Sequence, residues 1–139
     1  MARPPPEDEV FLDEPWASVW WDSSRHCVHT EWKAFASTTE FRAALMRALD
    51  AIREKKAIAY VGDGRKVKVI VQEDQKWVSE VWVPLARAAG LKRAAIVTAP
   101  TGLGKVTVDE AVKMVDDRGV LMHTFESVAA AHSWIAEIG

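Results

Sequence analysis

Between Ser37 and the C-terminus, stretches with apolar residues at helical spacing alternate with short apolar runs, and this alternation narrows the fold more than any other feature. At its centre lies Ala57 to Gly90. The run Ala57-Ile58-Ala59-Tyr60-Val61 is apolar without alternation, as a strand covered on both faces should be. It leads into a polar turn, Gly62-Asp63-Gly64-Arg65-Lys66, an extended Val-rich connection, and a helical stretch carrying Trp77 and Trp82. That is a βα unit. Repeated along the chain, such units predict parallel strands joined by right-handed crossovers, with ligands expected where the strand ends converge.

The other segments extend the pattern. Ser37 and Glu40 stand at capping-box spacing, and Phe41, Leu45, Leu49 and Ile52 form the stripe of a helix ending near Lys55-Lys56. Trp77, Val78, Val81, Trp82 and Leu85 mark the next stripe, with Pro84 predicting a kink or break and Gly90 a C-terminal cap. Arg93 to Ala99 is a further strand. Thr107 and Glu110 suggest a second capping box for a short helix with Val108, Val112 and Val115 inward, closed by Gly119. Val120 to Phe125 is the last strand, and Val128, Ala131, Trp134, Ile135 and Ile138 the last stripe. Val67, Val69 and Val71 also alternate with Lys66, Lys68 and Ile70, which taken locally is the second arm of a hairpin.

Upstream, Ala17 to Asp22 and Arg25 to Lys33 read as two strands of a hairpin around Ser23-Ser24, with Cys27, His29 and Glu31 sharing one face of the second. Residues 1–16 hold three consecutive prolines and Glu7, Asp8, Glu9, Asp13 and Glu14, the composition of a solvated tail. The expected division is therefore an acidic Pro-rich tail, 1–16, and one folded domain, 17–139.

A chain of 139 residues, 49% hydrophobic and 27% charged, can bury a core of its own, and no apolar run approaches the length of a bilayer span. A net charge of −2 gives no drive toward nucleic acid. Cys27 is alone, so no internal disulfide can form, and Met-Ala-Arg-Pro-Pro-Pro lacks the apolar core of a signal peptide. The expectation is a soluble protein of a reducing, cytoplasmic setting. Seven Trp is an unusual count, and among them Trp16, Trp20 and Trp21 crowd the start of the fold, where an exposed ring could line a pocket.

These elements, in this order, resemble the SpoIIAA-like or STAS-like superfamily of small bacterial domains, closest to the group related in fold to the lipid-binding CRAL-TRIO proteins. The residues that carry the resemblance are Glu31-Trp32-Lys33, Glu40-Phe41-Arg42, Asp63 with Arg65-Lys66, and Glu73-Asp74-Gln75-Lys76-Trp77. Trp82 with Pro84, Ala89-Gly90-Leu91-Lys92, and Phe125 with Ser127 and Trp134 add to it. It covers about Trp20 to the C-terminus. It implies an α/β domain with a mixed sheet, an antiparallel N-terminal hairpin before the parallel βα units, helices largely on one face, and a plain loop from Arg65 to Val71. In two places the chain departs from the pattern. Signalling STAS domains carry a phosphorylatable Ser after the turn Asp, where this chain has Gly64, so a phosphorylation switch is not expected there. Val71-Gln72 also stands where the group has Ser-Pro, which removes the usual N-cap.

Arg65, Lys66 and Lys68 beside a turn rich in amides could hold a phosphate or carboxylate, while Asp63 fixes the turn. Gly102-Leu103-Gly104-Lys105 follows a strand as a phosphate-binding loop would, but Ala99 replaces its first glycine and Val106 its hydroxyl residue. Cys27 and His29 share a face without the further ligands that a metal needs, and no nucleophile elbow occurs. No catalytic set, metal or cofactor is therefore assigned. The expected function is non-enzymatic: a regulatory or ligand-binding domain for a small apolar or anionic, lipid-like molecule. Asp63, Arg65 and Lys66 would form its mouth, and Trp77 and Trp82 would line its groove. The alternative is a protein-interaction module that forms a homodimer or binds a regulatory partner through an edge strand or through Trp20 and Trp21.

Overall fold

The structure is a computed structural model and describes residues 9–115 and 119–137. Its elements are β1 (Glu9–Asp13), β2 (Ala17–Asp22), β3 (Cys27–Trp32), α1 (Thr38–Lys55), β4 (Ala59–Gly64), α2 (Gln72–Trp77), a π-helical turn (Val78–Trp82), α3 (Val83–Ala88), β5 (Arg93–Thr98), α4 (Leu103–Met114), β6 (Leu121–Phe125) and α5 (Val128–Ile135). All six strands make one sheet in the order β1-β2-β3-β4-β5-β6. Pairing is antiparallel from β1 to β3 and parallel from β3 to β6. The mixed α/β sheet with an antiparallel N-terminal hairpin is thus present.

Each parallel strand is added beside its predecessor on the same side, so crossovers of one hand deliver the intervening helices to one face. On that face Val28, Tyr60 and Ala94 pack with Leu45 and Leu49 of α1, Trp82 of the π turn, and Val83 and Ala86 of α3. The terminal helix α5 closes the other face, where Ala131 and Ile135 meet Cys27, Ala59, Val61, Ala95 and Val97. The central strands are covered on both sides, which is why they read as unbroken apolar runs. Strand order never reverses, so the fold lacks the switch-point crevice in which doubly wound sheets bind ligands. Any site at the strand ends must be built by side chains.

Several expectations need correction. β1, Glu9–Asp13, falls inside the stretch read as a tail. Phe11 and Leu12 pack on the core, Lys55 pairs with Glu9 at 2.8 Å, and Arg47 Nε donates to the Phe11 carbonyl at 3.0 Å. Phe11 and Leu12 outweigh the flanking acids once Lys55 of α1 and Lys33 supply the cations for Glu9 and Asp13. The prolines at 4–6 lie outside the described residues, as does Ile138.

Arg65 to Val71 is a connection and not a hairpin arm, as the family resemblance implied. Both edges of β4 are already taken, by β3 and β5. Side chains hold the connection instead. Ile70 N donates to Thr107 Oγ1 at 2.9 Å, and Gln75 Nε2 donates to the Ile70 carbonyl at 2.9 Å. Thr107 is therefore no cap. It lies inside α4, which starts four residues earlier behind Gly102 at φ 103°, and its hydroxyl also reaches back to the Leu103 carbonyl at 3.0 Å. By contrast, the capping box of Ser37 and Glu40 opens α1 as expected, with both reciprocal bonds made.

Pro84 neither breaks nor ends its helix. Proline cannot donate to the Glu80 carbonyl, and just before it the chain widens into the π turn, where Val83 N–H bonds back to the Val78 carbonyl. The wider turn rotates the stripe, leaving Val81 exposed and burying Ser79, Trp82 and Val83.

Candidate functional site

β3 and β4 run parallel with Glu31 and Asp63 as register partners. Two carboxyl groups thereby end up side by side at the C-terminal ends of adjacent strands. The chain answers one of them locally. Asp63 Oδ1 accepts from Arg65 N at 3.3 Å and Nε at 2.9 Å, and Oδ2 accepts from Nη2 at 2.7 Å. This bidentate grip fixes the turn, as expected of Asp63, and also sets the plane of the guanidinium.

Glu31 is treated differently. Its side chain is buried, with the residue 6% exposed, and Oε1 has no hydrogen-bond partner. Burial, and then the negative charge of Asp63, push its carboxyl above the usual carboxylate range, with Lys33 and Lys66 opposing. Lys33 is committed elsewhere: its Nζ donates to Asp13 Oδ1 and to the Glu14 carbonyl, both at 3.0 Å. Glu31, Trp32, Asp63, Arg65 and Lys66 together line a cleft of about 260 Å³.

Of the residues singled out from the sequence, Asp63, Arg65 and Lys66 are thus brought together, and the two tryptophans are not among them. Trp82 lies on the helix-covered face, 1% exposed, with its Nε1 donating to the Leu45 carbonyl at 2.6 Å. It lines a separate apolar cavity of about 70 Å³ with Tyr60, Gly62 and Ile96. Trp77 is half-buried beneath the Arg42 guanidinium, 5.3 Å from its ring centroid, and Arg42 is itself paired with Asp74 at 3.0 Å. Trp32 borders both the cleft and the cavity. The residue that sequence reasoning missed is Glu31. Alternation placed it on the face of Cys27 and His29, but its partner on β4 is set by register, which no local pattern encodes.

The remaining candidates resolve into structure. Gly104 of the glycine-rich loop sits where a methyl group would overlap the Val67 carbonyl oxygen, and Lys105 Nζ bonds Asp109 at 2.6 Å within α4. The glycine lets the helix approach the connection closely, and the ion pair braces the helix itself. Trp20, offered as an exposed ring, is 4% exposed and stacks on His29 at 4.3 Å. His132, distant in sequence, comes from α5 to a ring-centroid distance of 5.7 Å from His29. No group of three or more His, Cys, Asp or Glu among the described residues is placed to hold a metal ion. No helix among them is long and apolar enough to cross a membrane. Compared with family models, curated proteins and solved structures, the chain matches none.

Proposed function

We propose that the protein is a non-catalytic, SpoIIAA-like regulatory domain that binds a small anionic molecule in the strand-end cleft. The observation that carries this reading is the Asp63–Arg65 pair. It presents a guanidinium of fixed orientation beside the exposed Lys66 at the rim of a cleft. Kinship with the SpoIIAA-like group is part of the proposal, supported by the antiparallel N-terminal hairpin that precedes the parallel units. A lipid tail has little support, because the apolar cavity of about 70 Å³ is far below the roughly 300–1,000 Å³ of ordinary ligand pockets. The test is an amide NMR titration with inorganic phosphate. Shifts at Gly64, Arg65 and Lys66 that vanish in an Arg65→Ala, Lys66→Ala double variant support the reading. Absence of such shifts in the unaltered protein refutes it.

A second reading, homodimerisation, is favoured by the contrast between the two sheet edges. β1 carries Glu9 and Asp13 and a register shift, whereas β6, Leu-Met-His-Thr-Phe, carries no Asp, Glu, Lys or Arg and exposes half of Leu121. Sedimentation of the protein and of a Thr124→Lys variant decides it: a dimer that the added charge dissociates supports pairing through β6.

A further inference from the structure

We propose that the ligand of the cleft is a small zwitterion, whose cationic nitrogen sits on Glu31 and whose anionic group is received by Lys66 and Arg65. The inference rests on the reading of the cleft as the ligand site and deepens it. Its basis is the orphaned carboxyl oxygen. Nearly all buried polar atoms in folded proteins find a partner, because leaving one unmade costs its desolvation. Glu31 Oε1 has none, although the strand end around it is well supplied with cations. Lys33 is spent on Asp13 and Glu14, and Arg65 turns its Nε and Nη2 to Asp63 and not to Glu31. Lys66 stands exposed at the rim.

The cleft thus has both signs in separate places. A purely anionic molecule held by Lys66 and Arg65 would leave Glu31 without a partner, and a purely cationic one on Glu31 would leave Lys66 without one. A molecule with one charge of each sign satisfies both ends and leaves neither carboxylate facing a like charge. The volume of about 260 Å³ sets the size near that of an amino acid.

The test is isothermal titration calorimetry on the full chain with a series of ω-amino acids from glycine to aminohexanoate, against butyrate and butylammonium as single-charge probes. At least one amino acid is expected to bind about tenfold or more tighter than either single-charge probe, the gain of one charge-assisted hydrogen bond. Glu31→Gln should erase that advantage while leaving butyrate binding in place. Lys66→Met, at an exposed position, should erase it from the other side. Butyrate binding as tightly as every amino acid would overturn the zwitterion and leave the anion site standing. An unchanged preference in Glu31→Gln would also overturn it, since a neutral amide could then do the work of the carboxylate. If no probe binds and phosphate moves none of the cleft amides, the proposal and the reading beneath it fall together.

Discussion

Glu31 and Asp63 are register partners on adjacent parallel strands, and the guanidinium of Arg65 is committed to Asp63. Two neighbouring carboxyls in one environment are thereby made unlike: one gripped in two places, the other buried with an oxygen unsatisfied. Such divergence between paired acids is a common property of binding and catalytic sites. It makes a direct prediction. Asp63→Asn removes a negative neighbour and releases Arg65, so the Glu31 carboxyl should titrate at lower pH than in the unaltered protein. Carbon-13 titration of the Glu31 side chain reads this, and an unmoved midpoint would show the two groups to be uncoupled.

The bond from Trp82 Nε1 to the Leu45 carbonyl, 2.6 Å long, ties the π turn to the middle of α1. Trp82→Phe keeps an aromatic ring against Tyr60 but deletes the donor and leaves space beside an existing cavity. The expected loss is about 2 kcal/mol, combining a buried hydrogen bond with imperfect filling. Urea denaturation measures it. A variant as stable as the parent would mean that the bond contributes nothing net.

How far these features were legible follows from what each depends on. The capping box of Ser37 and Glu40 and the stripe of α1 are local, and both stood in the sequence. The parallel order followed from alternation. Thr107 has the same spacing to Glu110 that Ser37 has to Glu40, yet it lies inside a helix, because its hydroxyl is taken by Ile70 from a connection 37 residues earlier. β1 was hidden by its own charges, whose partners lie far along the chain: Lys55 of α1 for Glu9 and Lys33 for Asp13. The cleft was half legible: Asp63, Arg65 and Lys66 are contiguous, whereas Glu31 joins them only through the register of β3 on β4.

Gly104 separates two explanations of the same residue. It lies in the first turn of α4, and on helix propensity alone Gly104→Ala should stabilise by up to about 1 kcal/mol. Its Cβ, however, would overlap the Val67 carbonyl, which is backbone and cannot swing aside. The expected result is a loss of about 2 kcal/mol with loosening of residues 65–71, measurable by denaturation and hydrogen exchange. A stabilised variant would show that the connection yields freely.

Acid should weaken the fold through His29. This side chain is 5% exposed, stacked on Trp20 and facing His132, and its Nδ1 has no partner. Burial, and then the neighbouring His132, lower it from the ordinary 6.5 to about 4, against the opposing pull of Asp63 and Asp22. His132 is lowered as well, again chiefly by burial. Between these two values the unfolded chain binds a proton that the folded chain refuses. The contribution is present in full above pH 6.5 and is lost as pH falls toward 4, about 2 kcal/mol at pH 5 from His29 alone. Glu31 acts with opposite sign: its raised carboxyl takes up a proton more readily when folded, so acidification relieves the strain of a buried charge. The measurement is the urea midpoint at pH 7 and pH 5 in the parent, His29→Phe and Glu31→Gln proteins. His29→Phe should flatten the dependence whatever it does to stability at pH 7, and Glu31→Gln should steepen it. A slope unchanged in His29→Phe would place the acid sensitivity elsewhere in the molecule.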